Sequence, residues 1–263
     1  MIMKISLIIS TYNRVGALRL CLMSVLNQSR IPDEVIIADD GSDPETFNLI
    51  KQFSCSFPCP LYHAWHKDEG FRKAKIHNDA IKEFCTGEYL IFIDGDIILD
   101  RRFVADHENI AKQGCFVIGS RAKLSKLMTR YMIMNHSINV GIFNKGVSRK
   151  TNALHLPSFH FITKYLYSWK KFYGRGANMA MFYKDFEKIN GFDEDMVGYG
   201  CEDYDIFNRL QNIGIKRRYA KFRAIEYHLE HKRLNITIKN SNALYGDLSR
   251  KFCISGLKKI SKK

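Results

Sequence analysis

What most constrains the fold of this 263-residue chain is the alternation of short apolar runs with helical periods across its first hundred residues. Residues 4–10, Lys-Ile-Ser-Leu-Ile-Ile-Ser, read as a buried strand running into a polar turn at Thr11, Tyr12, Asn13 and Arg14. Residues 17–27 then carry Leu18, Cys21, Leu22, Val25 and Leu26 at helical spacing. A strand is predicted over 34–38, ending in Asp39-Asp40-Gly41-Ser42, followed by a helix over 44–53 and a strand over 61–65. A helix over 71–84 leads to a strand over 89–93 that ends in Asp94-Gly95-Asp96. Such alternation predicts βαβ units, and so an α/β fold with a mostly parallel central sheet flanked by helices. Sheets of this kind bind ligands beyond the carboxyl ends of their strands. Thr11, Tyr12, Asp39, Asp94 and Asp96 all fall there.

The rest of the chain is less periodic. Residues 119–175 are basic and aromatic and predict short helices and loops. An apolar run at 179–182, Ile189-Asn-Gly-Phe192 and a glycine-bearing turn at 198–200 lead into a helix over 204–212. A strand is expected near 218–227 and a basic helix over 245–260. No apolar run approaches the roughly 18 residues of a membrane-spanning helix, and the apolar start is too short for a signal peptide. Seven cysteines, an odd number in a chain this size, point to reduced thiols in a cytosolic protein.

A formal net charge of +14 invites a nucleic-acid reading, but its distribution argues otherwise. Residues 109–184 hold 13 Lys and Arg and no acid, and residues 216–263 hold 14 against 3 acids, leaving a net −10 on the remainder. No helix-turn-helix, zinc or RNP signature is present, so no nucleic-acid partner is expected. In the tail, Leu248, Phe252, Ile254, Leu257 and Ile260 lie among lysines. That pattern suits either an amphipathic segment on an anionic membrane surface or a solvated, frayed terminus.

Three constellations carry chemistry. Asp94 and Asp96 straddle a glycine at a strand end and can turn toward one hard cation, Mn²⁺ or Mg²⁺, although Asp and Gly also suit an ordinary turn. Glu202, Asp203 and Asp205 open a helix, where the dipole favours acids. Three of them behind Gly198 and Gly200 exceed what capping needs, and one carboxylate there could serve as a general base. His228 and His231 lie three apart, and either could complete a metal site with Asp96. Cys55 and Cys59 lack a second pair at zinc spacing, and the chain has neither a Walker loop nor a dinucleotide fingerprint.

The stretches Ile8-Ile-Ser-Thr-Tyr-Asn-Arg14, Ala38-Asp-Asp-Gly-Ser42 and Phe92-Ile-Asp-Gly-Asp96 resemble successive signatures of family 2 glycosyltransferases with the GT-A fold. Gly176-Ala-Asn-Met179, Ile189-Asn-Gly-Phe192 and Gly198-Tyr-Gly-Cys-Glu-Asp-Tyr-Asp205 resemble the half shared by β-1,4-galactosyltransferases and bacterial chondroitin-type polymerases. The resemblance implies a nucleotide-sugar half over 1–108, an acceptor and catalytic half over 109–235, and a basic tail over 236–263. It implies that Thr11, Tyr12, Arg14, Asp39, Arg72 and Asp94 bind a UDP-sugar, with Arg72 beside the pyrophosphate. It further implies Asp96 and His228 as ligands to Mn²⁺ or Mg²⁺, Asp203 as catalytic base, and Glu202, Tyr199 and Asn178 as acceptor contacts. Tyr199 stands where related proteins often carry Trp. The implied reaction is inverting transfer of a hexose or N-acetylhexosamine to a glycan or glycolipid of a bacterial surface polysaccharide or lipopolysaccharide. The alternative is a nucleotidyltransferase or other nucleotide-sugar enzyme with the same metal logic, which would leave Glu202 and Asp203 without an obvious role.

Overall fold

The computed structural model describes residues 3–163, 176–232 and 235–260. Tyr165, Tyr167, Trp169 and the start of the Gly174 segment lie outside the described residues. Strands β1 (Ile5–Thr11), β2 (Glu34–Asp39), β3 (Leu61–Trp65) and β4 (Tyr89–Asp94) alternate with helices α1 (Val15–Leu26), α2 (Pro44–Ser54) and α3 (Lys73–Phe84). Then come β5 (Ile97–Leu99), α4 (Phe103–Ile110), β6 (Cys115–Ile118), β7 (Ala122–Leu124), α5 (Lys126–Met134) and β8 (Val147–Ser148). The last elements are β9 (Asn178–Phe182), α6 (Tyr183–Lys188), α7 (Glu202–Asn212), β10 (Lys216–Tyr219), β11 (Glu226–His228) and α8 (Ile238–Gly246).

Among the described residues one seven-stranded sheet runs in the order β10-β6-β9-β4-β1-β2-β3. All its pairings are parallel except those of β9 with β4 and β6. Burial on both faces explains why its strands read as unbroken apolar runs. Along β4, Tyr89, Ile91 and Ile93 join Leu18 and Leu22 of α1 and Phe103 of α4 in one core. Leu90 and Phe92 point the other way, into a core with Ile76 and Ala80 of α3 and Ile206 and Phe207 of α7. At the end of β2 the chain turns at Gly41 with φ +94°, where a Cβ would come within 2.6 Å of the Asp68 backbone. Only glycine fits that position.

A second sheet, β5-β11-β7-β8, sits beside the first. The single strand expected over 218–227 is in fact two strands in different sheets. Phe222 at φ +67° and Ala224 at φ +43° turn the chain between β10 and β11. This turn places His228 opposite Ile97 in the antiparallel β5–β11 pair.

The tail also departs from expectation. Its helix is α8, and residues 247–260 are irregular and clasped to the loop at 189–194. The Asn190 amide donates to the carbonyls of Cys253 and Lys258, both at 2.9 Å, and Asn212 donates to those of Leu248 and Arg250, both at 2.7 Å. The Cys253 thiol is fully buried, and a Cβ on Gly256 would lie 1.9 Å from the Asn190 carbonyl oxygen. Bonds to the loop thus replace those a helix would make, so the expected amphipathic helix over 245–260, free to lie on a bilayer, does not form. Among the described residues no helix is long and apolar enough to cross a membrane. All seven cysteines are unpaired.

An ion network anchors the clasp. Arg209, fully buried on α7, donates from Nε to Asp205 at 2.8 Å and from Nη1 to the carbonyls of Ile189 and Gly191. Arg250 of the tail bridges Asp205 and Asp193. Removing the carboxylate strands a buried guanidinium, so Asp205→Ala is expected to lower unfolding free energy by about 3–5 kcal/mol. Urea unfolding measures it, and a loss under about 1 kcal/mol, the value of a surface pair, would contradict the assignment.

Candidate active site

The carboxyl ends of β1, β2 and β4 meet at one edge of the large sheet, and the acids there are held by neighbours. Asp94 Oδ1 accepts from Lys73 Nζ at 2.6 Å and from Ser10 Oγ at 3.1 Å, while Arg121 Nη1 lies 3.7 Å from Oδ2. Burial pushes the Asp94 carboxyl up, but Lys73 and Arg121 outweigh it and hold the group below the usual carboxylate range. Lys73, the second residue after the Phe71 ring, stays protonated because the fields of Asp94, Glu202 and Asp203 overcome its desolvation.

Two residues further on, Asp96 faces two imidazoles. His228 Nε2 lies 3.6 Å from Oδ1, His231 Nε2 lies 3.1 Å from Oδ2, and Arg14 Nη1 lies 2.7 Å from Oδ2. Burial and nearby charges split the pair. Desolvation lowers His228 to about 4, so it is neutral, whereas the hydrogen bond to Asp96 raises His231. One ligand atom from each of Asp96, His228 and His231 fits within 4.8 Å of the others. Asp96 Oδ1 and His228 Nδ1 are buried with no hydrogen-bond partner. Unsatisfied buried donors and acceptors are costly, and here they are the atom types that coordinate a divalent transition ion. The donor set fits such an ion.

The third group comes from the start of α7. Cys201 precedes it at φ +74°, behind Gly198 and Gly200, also at positive φ. Asp203 Oδ2 accepts from the Gly176 amide and Oδ1 from the Tyr204 amide, both at 2.8 Å. A Cβ on Gly176 would approach the Asp203 Cβ to 3.0 Å, so a glycine lets the backbone come this close. Burial, then the charge of Asp203, raises the Glu202 carboxyl to about 7. Its Oε2 has no hydrogen-bond partner. Lys73 lies between the two acidic clusters, paired with Asp94 and within the field of Glu202 and Asp203.

The other residues singled out in the sequence are placed as follows. Thr11 is buried, and its carbonyl accepts from the Asp40 amide. Tyr12 is half-exposed and donates its hydroxyl to Asp68 at 2.8 Å. Asp39 is fully buried, accepting from the Ser42 amide at 2.8 Å and lying 2.9 Å from His63 Nε2. The Tyr199 ring packs edge-on against Phe71, 5.7 Å between centroids. Two residues make other contacts than the ones expected of them in a bound state. The Arg72 guanidinium pairs with Glu69 at 2.6 Å and only its backbone amide enters the strand-end network, through Asp40; the cation reaching Asp94 is the adjacent Lys73. Asn178 has no exposed surface to offer an acceptor. Its amide nitrogen donates to the Ala224 carbonyl and its oxygen lies 3.1 Å from His107 Nε2, so it locks β9 to the chain before β11.

The profile of glycosyl transferase family 2 matches residues 6–189, more than half of the chain. The chain belongs to that family. The profile described as the N-terminal domain of galactosyltransferase matches residues 156–232, the part carrying Asp203, His228 and His231. An uncharacterized glycosyltransferase, YfnE, of Bacillus subtilis is 26% identical over 275 residues, covering 87% of this chain and 65% of that protein. The chondroitin synthase of Escherichia coli is 24% identical over 251 residues, covering 86% of this chain and 34% of that protein. This chain therefore spans less than two thirds of either relative. In structure it resembles GalNAc-T7 solved with UDP, GalNAc and Mn²⁺, at TM-score 0.67 and 14% identity, covering 93% of this chain and 48% of that one. The fold is that of the GT-A glycosyltransferases.

Sequence reasoning passed over Lys73, Arg121 and Glu226. Glu226 is fully buried on β11 with both carboxylate oxygens unpartnered, and burial raises it well above the usual range. Its position two residues before His228 on a strand was the available signal, since alternate residues share a face.

The Glu202 shift has a sign that can be tested. A carboxyl with a raised folded-state value adds stability at low pH and loses it as pH climbs from its unfolded value toward about 7. Glu202→Gln removes that loss. The variant is expected to match the parent's Tm near pH 4 and exceed it above pH 7. A Tm difference independent of pH would refute a buried, titrating Glu202.

Proposed function

We propose that this protein is an inverting, metal-dependent glycosyltransferase that moves a hexose or N-acetylhexosamine from a UDP-sugar to a hydroxyl of a glycan acceptor. The proposed acceptors are bacterial surface polysaccharides or lipopolysaccharide. The observation that carries the reading is the grouping of Asp96, His228 and His231, with Lys73 linking it through Asp94 to Glu202 and Asp203. Membership of family 2 and the galactosyltransferase match over the second half support it. A relative named for chondroitin synthesis and a neighbour holding UDP and Mn²⁺ agree with the donor and acceptor class.

A divalent ion held by Asp96, His228 and His231 would supply charge neutralisation at the departing diphosphate; two imidazoles favour Mn²⁺ over Mg²⁺, which prefers oxygen ligands. Thr11, Tyr12 and Asp39, at the ends of β1 and β2, would hold the nucleoside, and Asp94 the ribose or sugar. Arg14, on Asp96, and Lys73, on Asp94, lie where a diphosphate's charge would attract them. Asp203 would take the acceptor's hydroxyl proton. Each of its oxygens accepts one backbone amide, which fixes the carboxylate and leaves a lone pair on each oxygen. Glu202 would accept or donate a hydrogen bond to the acceptor, with Tyr199 and Phe71 as its platform. The unpaired cysteines support a reducing, cytoplasmic setting.

Asp203→Asn is expected to lower kcat by roughly 10²–10⁴ while the donor KM changes little, since a general base acts on the chemical step. UDP release with Mn²⁺ and UDP-galactose, UDP-N-acetylgalactosamine or UDP-N-acetylglucosamine, against GDP-mannose as control, measures it. A folded variant at full rate would remove Asp203 from the base role, and turnover of the GDP-sugar alone would overturn the donor class. Asp96→Ala and His231→Ala are each expected to weaken Mn²⁺ binding at least tenfold, read by titration calorimetry without donor. Unchanged affinity in both would displace the metal from this site.

A further inference from the structure

The basic tail is clasped to the fold, yet the protein does present an apolar and basic surface elsewhere. Helix α5 has two apolar sides. Met128, Thr129, Met132 and Ile133 face inward, against a core built on the second sheet. At 100° per residue, Lys126, Arg130, Met134, Leu127 and Tyr131 occupy the other arc, about 140° wide. Leu127 is 83% exposed, Met134 69% and Tyr131 58%. Past the helix, in the loop that returns to β8, Phe143 is 93% exposed. Lys126 and Arg130 on the helix, and Lys145, Arg149 and Lys150 after it, are also exposed, and residues 109–184 contain no Asp or Glu in sequence to offset them. On the inner side, the Glu230 backbone amide donates to the Thr129 hydroxyl.

We propose that the outer face of α5 and the loop after it form a docking surface for the anionic headgroups of a lipid bilayer. Its chemistry selects that occupant. Solvent-exposed Leu, Met, Tyr and Phe suit the headgroup–acyl boundary, and bases with no acid interspersed in sequence suit an anionic layer. A second copy of the chain would set the same bases against one another. A nucleic acid would use the bases and leave the aliphatic side chains idle. None of the surface's residues is assigned to the proposed reaction, so the inference does not rest on that reading. Solvent exposure of four large apolar side chains on one short stretch is what a lipid boundary would relieve.

The test uses the full chain and vesicles, sedimented at low salt. Binding is expected to vesicles containing phosphatidylglycerol, with far less to pure phosphatidylcholine, and to fall with salt. Lys126→Glu with Arg130→Glu is expected to lower partitioning at least about 25-fold, since each base near an anionic surface is worth about fivefold. Leu127→Ser with Met134→Ser keeps every charge and is expected to cut binding about tenfold or more, because apolar burial is lost. All four positions are exposed, so circular dichroism and Tm should match the parent, and UDP release with a soluble acceptor should not change. Equal binding to both vesicle types overturns the proposal, as does parental binding by both double variants. Self-association that the same variants abolish, without vesicle binding, would assign the face to a second copy and overturn it equally.

Discussion

The antiparallel pairing of β5 with β11 is the constraint on which the candidate site depends. It sets His228 opposite Ile97, and the Leu229 amide donates to the Asp96 carbonyl at 2.9 Å. Backbone hydrogen bonds therefore deliver an imidazole to a carboxylate more than 130 residues earlier in the sequence. A register slip of one residue would turn His228 to the opposite face and withdraw it from Asp96. The parallel pairing of β1 with β2 and β4 brings Thr11, Asp39 and Asp94 to the same edge of the large sheet.

Gathering so many carboxylates in a buried cleft has an electrostatic cost, and the structure meets it with specific cations. Asp94 is held ionised by Lys73 and Arg121, and Asp96 by His231, His228 and Arg14. Glu202 and Glu226 feel Lys73 and Arg121 respectively, but burial and the neighbouring carboxylates outweigh those fields and push both toward the neutral form. The cleft thus holds ionised acids beside acids shifted toward the protonated form. That division follows from whether the nearby cations outweigh desolvation, which acts on all of them. The loop at 189–194 ties the arrangement together: Asn78 of α3 bonds Phe192, and Arg209 of α7 bonds Ile189 and Gly191. The helices carrying Lys73 and Glu202–Asp203 are referred to one anchor, itself gripped by the tail.

Much of the architecture was legible because it is written locally. The runs at 4–10, 34–38 and 89–93 could be read as strands since burial on both faces demands continuous apolar side chains. The polar residues ending them announced a site edge for the same reason: a buried strand becomes polar where it emerges. Elsewhere local signals failed. The apolar and basic spacing at 245–260 is compatible with a helix, but fourteen residues can instead spend their backbone groups on a neighbouring loop, as Cys253 and Lys258 do with Asn190. Arg72 and Lys73 are adjacent in sequence, and no local rule says which of two neighbouring cations faces Asp94. The answer lies in the turn into α3. Asn178 has the polarity of a ligand contact, and only its two buried partners reveal a lock.

The sequence by itself determined the α/β class, the strand ends at which ligands can sit, and the acids and histidines able to bind a cation or a proton. Those follow from periodicity and residue chemistry, which are local. Tertiary structure decided that both histidines, and not one, face Asp96, that Lys73 joins the two acidic clusters, and that the tail is a clasp. It also decided which acids are ionised. Each of these depends on distances between residues far apart in the chain, and no pattern within one segment encodes them.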